Sequence, residues 1–353
     1  MNNEFTQILE NIEKSLNAAL PATASTSGWT PASFGPLPEG ASASYIDKLI
    51  EPNRALVSLG GKRWRPLLLL LCYKMSKELT KEEGKSPALS EEETYRITPL
   101  VEFVHTASLI HDDIEDNADL RRGKPAAHIT YGLDTALNAA SWLYFEAPVC
   151  INSLEVSDTF KLELYKTYTN ELRRLHLGQA MDIFWHRNPD LFPPEKEYLA
   201  MVKSKTGTLA SLAAKLGCLA GGLSAARAEE FGSIAADIGM GFQIIDDVIN
   251  LTTGNPGKKR GDDIVEGKKS LPVLLHTQER PQDKEKIAAF MKEAAAKGIE
   301  SPAVEECITL LESSGCIEKA AEQGRKLIQE SCARFKSPQI QELFISMIPE
   351  NFR

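Results

Sequence analysis

From about residue 44 onward, apolar residues return every third or fourth position, and no period-two alternation lasts long enough to build a sheet. The stretches 160–182, 197–220, 226–251, 284–297, 302–313 and 317–335 all carry this spacing, separated by short loops such as Gly60-Gly61 and Arg121 to Pro125. A chain written this way can bury its apolar stripes only by packing helix on helix. The expected fold class is therefore all-α, a single large helical bundle. Residues 4 to 20 repeat the helical pattern through Phe5, Ile8, Leu9, Ile12 and Leu16. Residues 21 to 43 are rich in Pro, Gly, Ser and Ala and read as an extended connector. The predicted division is an N-terminal helix and connector over 1–45, loosely attached, and an all-α domain over 46–353.

The chain's 353 residues suffice for a sizeable core, and its formal net charge of -9 argues against a nucleic-acid surface. The longest strongly apolar run, Leu67 to Cys72, is far short of a membrane span, and the polar N-terminus lacks a secretory pattern. Six scattered cysteines without a CxxC pair read as reduced, buried thiols, so a cytoplasmic protein is expected.

Two acidic motifs carry the chemistry. In HTASLIHDDIEDNADLRRGKP (105–125), Asp112 and Asp116 stand four residues apart and project from one helix face, with Asp113 beside them. Like charges at that spacing cost a helix about 0.2–0.5 kcal/mol unless a cation compensates them. In GFQIIDDVINL (241–251), Asp246 and Asp247 repeat the pair inside another apolar helix, with Asn250 in the place of a third acid. The donors are all oxygen, which suits Mg²⁺ held by a few carboxylates together with substrate phosphate. One such motif alone is more often a solvated acidic face. Two on core-facing helices can meet across a bundle and share a metal cluster.

Basic residues complete the inventory. GGKRWRP (60–66) places Lys62, Arg63 and Arg65 behind two glycines, Arg121 and Arg122 follow the first acidic motif, and KSKTG (203–207) and GKKRGDD…EGKKS (257–270) add lysines. Arginine offers planar bidentate contacts to phosphate and lysine a mobile point charge. Any one set serves equally well as a solubilising flank, but each of the three lies beside glycine or an acidic motif. The GxxxxGK[ST] loop is absent, as is GxGxxG after a strand, which removes the nucleotide folds. His111 is either an orienter of Asp112 or a packed, satisfied imidazole.

These motifs, in this order, closely resemble the trans-polyprenyl diphosphate synthase family, the relatives of farnesyl and geranylgeranyl diphosphate synthases. The resemblance runs over roughly residues 50 to 275, through GGKRWRP, HTASLIHDDIED, RRGKP, HLGQAMD (176–182), KTG, FQIIDDVIN and GDDIVEGKKSLP. It implies an isoprenoid-synthase bundle with a central cavity, in which a Mg²⁺-dependent enzyme condenses an allylic diphosphate with isopentenyl diphosphate. By resemblance, Asp112, Asp116 and Asp246 bind three Mg²⁺ ions that grip the allylic diphosphate, with Asp113 and Asp247 in support. Arg121, Lys205 and Lys258 are implied contacts to the same diphosphate, and Lys62, Arg65, His105 and Arg122 the metal-free isopentenyl diphosphate site. Gln179, Asp182, Thr206 and Gln243 match positions that orient waters or stabilise the developing cation, and Asp263 and Lys268 match a closing loop. A homodimer is implied as well.

Two positions stay open: Asn250 stands where many relatives have Asp, and Lys258 and Lys259 both match the phosphate-contacting lysine. A terpene cyclase would need an acid near Gly254 and has no use for Lys62 and Arg65; a non-catalytic partner subunit would have lost acidic ligands that this chain keeps. The product tail is expected to run from the aspartates up the helix carrying Asp112. Small Ala107 and Ser108 lie about one turn away, and Val104 and Val101 further up. Short-product relatives resemble one another in having an aromatic residue near Ala107, so a product of geranylgeranyl length or longer is expected. Pro99 is expected to kink that helix and shape the pocket's end.

Overall fold

The computed structural model describes residues 3–254 and 259–350. Nearly all of the regular structure is helical, as expected. Among the described residues the one sheet is a two-stranded hairpin pairing Leu120 with Pro125 and Arg121 with Lys124. The backbone contacts divide into two compact units, one holding the chain up to Asn170 with Leu212–Gly232, the other Glu171–Ser211 with the chain from Ser233.

In the first unit the helix Asn3–Ala19 presents Phe5, Ile8, Ile12 and Leu16 at three- and four-residue intervals, all 3% exposed or less. It packs on the helices Trp64–Glu82, Glu91–Arg96 and Pro99–Glu115. The expected loose attachment is thus corrected: four apolar side chains at helical spacing need a partner, and the core supplies it. The connector is docked too. Its short helix Trp29–Phe34 stacks Phe34 on Trp142, with ring centroids 6.1 Å apart, and the Trp29 indole donates to Ala19 O at 3.0 Å.

The helix Trp64–Glu82 is buried on every side along Leu67–Tyr73, as an all-apolar helix must be. Gly217 lets the chain approach it closely, since a Cβ there would fall 2.2 Å from Leu69 O. The helix Pro99–Glu115 begins at Pro99 with Thr98 as its N-cap. The expected kink is therefore absent, because proline at the first helical position has no hydrogen bond to break.

In the second unit the helix Ala225–Thr252 from Ser233 onward and the helices Leu271–Glu279, Lys284–Lys297, Pro302–Ser313 and Cys316–Arg334 enclose a core that includes Ile244, Val248, Leu274, Met291 and Ile308. The helix Glu195–Val202 runs into a π turn, Lys203–Gly207, before helical structure resumes at Thr208. Gly207 permits a close crossing, for a Cβ there would lie 2.7 Å from Ala236 O. All six cysteines are free thiols, five of them buried. No described helix is long and apolar enough to cross a membrane.

Candidate active site

Each unit carries one aspartate motif. In the first, Asp112, Asp113 and Glu115 occupy the last turn of Pro99–Glu115, and Asp116 caps it. Acids at a helix C-terminus oppose the macrodipole, so the cluster calls for cations. Arg121 supplies one: its Nε donates to Asp113 Oδ1 at 2.9 Å and its Nη2 to the same oxygen. Asp113 is 1% exposed, and its Oδ2 is buried with no hydrogen-bond partner among the described residues. Burial pushes the Asp113 carboxyl above its ordinary value against the pull of Arg121. Asp112 and Asp116, by contrast, are only half buried.

The hairpin that carries Arg121 turns through Arg122 and Gly123, both at positive φ, as a two-residue hairpin loop requires. The turn delivers Arg122 Nη1 to Gly60 O, and its guanidinium lies against Gly61. Burial lowers the Arg122 pKa, with Arg63 and Arg121 adding to the effect. In the first turn of the helix Trp64–Glu82, Arg65 lies 4.4 Å above the Trp64 ring and reaches His105 Nε2 at 3.3 Å. Burial, then Arg65 and Arg122, drive the His105 pKa well below its usual value, so this imidazole is neutral. Lys62 flanks the group in sequence.

Arg63 takes another part. It is left-handed, with φ 46°, and buried; it binds Glu102 Oε1 and Glu13 Oε1 at 2.6 Å each and Val57 O at 2.7 Å. His111 proves to be a packed imidazole, stacked on Tyr144 with Ser141 Oγ 3.2 Å from Nε2. Of the residues expected along the tail path, Ala107 and Val104 are fully buried, and Ser108 folds its hydroxyl back onto His105 O at 2.9 Å.

In the second unit Asp246 is exposed while Asp247 is buried. Asp247 Oδ2 accepts from Tyr198 Oη at 2.6 Å and from Leu271 N at 3.4 Å, and Oδ1 accepts from Gln243 Nε2 at 3.0 Å. Gln243 Oε1 accepts from Thr206 Oγ1 at 2.9 Å. Burial raises Asp247 to about 6 in spite of these donors.

The π turn holds Lys205 as well as Thr206, and Lys205 Nζ meets Asp182 Oδ2 at 2.6 Å. Burial opposes ionisation of Asp182, but Lys205 and then Lys268 hold its carboxyl below the usual range. Gly178, in the same helix as Gln179 and Asp182, makes this possible: a Cβ there would sit 2.3 Å from Lys205 N. π turns inside α-helices are frequent at functional sites, because the extra residue re-aims neighbouring side chains.

Lys268 pairs with Glu266 and lies 3.9 Å from Asp263 Oδ1. Asn250 is fully buried; its Oδ1 accepts from Asp263 N at 3.3 Å and its backbone O from Gly261 N at 2.9 Å. It thus anchors the following loop. Lys259 is turned to the surface in an ion pair with Glu300, whereas Lys258 lies outside the described residues.

Tyr198 escaped the sequence reading as a site-forming residue, and Arg63, grouped there with the phosphate-directed cations, is instead buried on Glu102 and Glu13. Tyr198 looks like any amphipathic core tyrosine, and Arg63 shares one short segment with Lys62 and Arg65, which look the same in sequence. Among the described residues no three His, Cys, Asp or Glu side chains already gather as a metal site. The donor chemistry nonetheless suits a hard divalent cation. In both motifs the donors are oxygen; the first carboxylate reaches the surface, half buried at Asp112 and exposed at Asp246, and the second is buried.

The sequence matches the family described as polyprenyl synthetase over residues 46–310. It is 38% identical over 224 residues to geranylgeranyl pyrophosphate synthase 2 of Zymoseptoria tritici, covering 63% of this chain and 64% of that protein's length. It is 32% identical to the short chain isoprenyl diphosphate synthase of Methanocaldococcus jannaschii, over 76% of this chain and 77% of the relative. The fold is similar to the crystal structure of geranylgeranyl pyrophosphate synthetase from Pyrococcus horikoshii, with a TM-score of 0.77, 24% identity, and coverage of 96% of this chain and 95% of the other.

Proposed function

As the chain belongs to the polyprenyl synthetase family, we propose that it is a trans-prenyltransferase, condensing an allylic isoprenyl diphosphate head-to-tail with isopentenyl diphosphate. The observation that carries this reading is the repeated aspartate pair, its second carboxylate buried in each copy, with Arg121 on Asp113 in the first unit and a Lys205–Asp182 ion pair in the second. Asp112, Asp116 and Asp246 would hold the Mg²⁺ ions, three per site by family resemblance. Magnesium held there would supply positive charge to offset that of the departing allylic diphosphate.

The protein's own groups do the rest. Arg121, Lys205 and Lys258 contact the departing diphosphate, and Lys62, Arg65, His105 and Arg122 hold isopentenyl diphosphate. His105, kept neutral, can donate a hydrogen bond to phosphate without adding a buried charge. Asp113 and Asp247 fix the helix ends that present the open carboxylates. Gln179, Asp182, Thr206 and Gln243 orient dipoles toward the allylic cation. The proton released after carbon–carbon bond formation goes to the diphosphate leaving group, since no side chain stands out as a general base. Asp263 and Lys268, on the loop anchored by Asn250, help exclude water that would quench the cation.

Small, buried Ala107 and Val104 support a product of geranylgeranyl length or longer, since neither bears a ring to stop the tail. A cytoplasmic homodimer completes the reading. Its support is the exposed apolar stripe of Leu133, Leu137 and Phe145 along the helix Leu133–Glu146. Such a stripe marks an association surface.

Incubation of the purified chain with labelled isopentenyl diphosphate and an allylic starter tests the proposal, with products sized by mass spectrometry. Activity is expected to vanish in EDTA and return with Mg²⁺. Asp112→Ala or Asp246→Ala should lower turnover at least ~100-fold. Full activity in EDTA, or a cyclic hydrocarbon product, would overturn it.

A further inference from the structure

Lys269 is buried, 2% exposed, and takes no part in the condensation chemistry described above. Its Nζ donates to Pro189 O at 3.1 Å and to Met291 Sδ at 3.3 Å, and lies 4.8 Å above the centre of the Phe192 ring. A carbonyl, a thioether and a ring surround the ammonium, and none of them is an anion. Burial lowers its pKa to about 8, and Lys292 adds to the effect, while Asp190 and Cys307 pull the other way. An ammonium in such a place costs stability that a methionine of similar length would not.

The two segments joined by this side chain both lead to the candidate active site. Pro189 and Phe192 lie in the loop that follows the helix Asp158–His186, which carries Asp182. Lys292 fixes the same loop from the next helix, its Nζ 2.8 Å from Asp190 Oδ1. On its own strand of chain, Lys269 stands between Lys268 and Leu271. Lys268 helps Lys205 to keep Asp182 ionised, and the Leu271 N–H reaches Asp247 Oδ2 at 3.4 Å. The helix Leu271–Glu279 starts after Ser270, whose side chain makes no capping hydrogen bond, so its start is not held by its own cap. The segment also passes close to the other helix end, since a Cβ on Gly267 would lie 3.3 Å from His186 O. All of these residues belong to the second unit.

We propose that Lys269 is a positioning residue: its buried ammonium fastens residues 267–271 to the loop 189–192, and so holds Lys268 toward Asp182 and the Leu271 amide toward Asp247. Which substrate feels this rests on the prenyltransferase reading. Asp182 is ion-paired with Lys205, a proposed contact to the allylic diphosphate. Lys62, Arg65, His105 and Arg122, proposed to hold isopentenyl diphosphate, all belong to the first unit. Loosening the clamp should therefore weaken the allylic substrate and spare the other.

Lys269→Met tests this, because it keeps the stem packed on Phe192 and removes only the bond to Pro189 O. The melting temperature should be unchanged or higher, since an apolar side chain replaces a buried charge. The KM for the allylic diphosphate should rise about tenfold, as loss of a hydrogen bond to a charged group implies, with the KM for isopentenyl diphosphate unchanged. Hydrogen exchange followed by mass spectrometry gives a readout independent of activity. Amides of 267–271 should exchange about tenfold faster as the segment opens locally, while the helix Lys284–Lys297 keeps its wild-type rate. An inactive wild type would count against the prenyltransferase reading, and the exchange rates would still decide on Lys269. Wild-type exchange at 267–271, an unchanged allylic KM, or an equal rise in both KM values overturns the proposal. Should Lys269→Met fail to fold, Phe192→Leu decides: it removes the ring and leaves the lysine, and a smaller selective rise in the allylic KM is expected. No rise there would overturn the proposal as well.

Discussion

Replacing Arg63 with methionine is expected to destabilise the first unit by about 4 kcal/mol. Arg63 and Glu102 have side chains only 2% and 3% exposed, so losing one strands the other as an uncompensated buried charge. Breaking such a pair costs about 3–5 kcal/mol. The contact to Glu13 adds little, since that carboxylate is 42% exposed and water screens it. Methionine keeps the side-chain volume and pays the same left-handed backbone cost at φ 46°, so the difference isolates the charge. Burial raises the Glu102 pKa, and Arg63 is the chief group opposing the rise. In the variant that opposition is gone. A native carboxyl that binds its proton more tightly than the unfolded chain contributes stability that is lost as pH rises through its native pKa. The variant should therefore be penalised less at pH 5 than at pH 8. Urea unfolding at both values, followed by tryptophan fluorescence, measures this. Glu13→Gln should cost under about 1 kcal/mol, and Arg63→Met with Glu102→Met should recover most of the loss, as replacing a whole buried pair often does. A loss below about 1 kcal/mol for Arg63→Met, or an equal loss in Glu13→Gln, would refute the reasoning.

Tyr198→Phe removes a donor to the buried Asp247 and should reduce kcat about 10- to 100-fold, as a charge-assisted bond of about 1.5–3 kcal/mol implies. The KM for isopentenyl diphosphate should stay near wild type, and an equal rise in KM would show that the bond serves substrate binding instead of turnover; circular dichroism checks that the variant is folded. Ala107→Phe should shift the product distribution toward shorter chains by chromatography; an active variant with unchanged products would mean that the tail runs elsewhere. Glu146→Gln should flatten stability against pH between about 4.5 and 7. The native carboxyl, raised to about 7, contributes at most about 3 kcal/mol that fades as pH rises through that window. Thermal unfolding in a pH series decides this, and an identical slope in wild type and variant would refute it.

The all-α class was legible because helical spacing is a local property, visible in Phe5, Ile8, Ile12 and Leu16 as plainly as in the long central helices. What those residues pack against is not local, which is why the N-terminal helix read as loose and is in fact core. The four-residue step from Asp112 to Asp116 likewise required no coordinates. Sorting the basic residues did. Lys62, Arg63 and Arg65 are chemically alike in a row, and only the position of Glu102 on another helix makes Arg63 a buried strut. Pro99 was ambiguous for a related reason: proline breaks a helix from within but starts one from its edge, and the difference lies in where the helix begins. Lys259 matched a phosphate contact by spacing alone, while Glu300, 41 residues away, draws it to the surface.

The π turn at Lys203–Gly207 bears on how this stretch can change over generations. A π turn is a helix carrying one residue more than its pitch accommodates, so deleting any one of the five would restore an ordinary helical pitch. The deletion would still be ruinous. Each residue advances a helix by about 100°, so Tyr198 on one side and Thr208 on the other would swing around the axis relative to each other. Asp247 and Glu171, which they now reach, could not both be met again. Surface loops such as Lys81 to Pro87 can gain or lose residues at small cost. Here the count of residues is itself a constraint, separate from what the side chains of Lys205 and Thr206 and the bare Cα of Gly207 are each required to do.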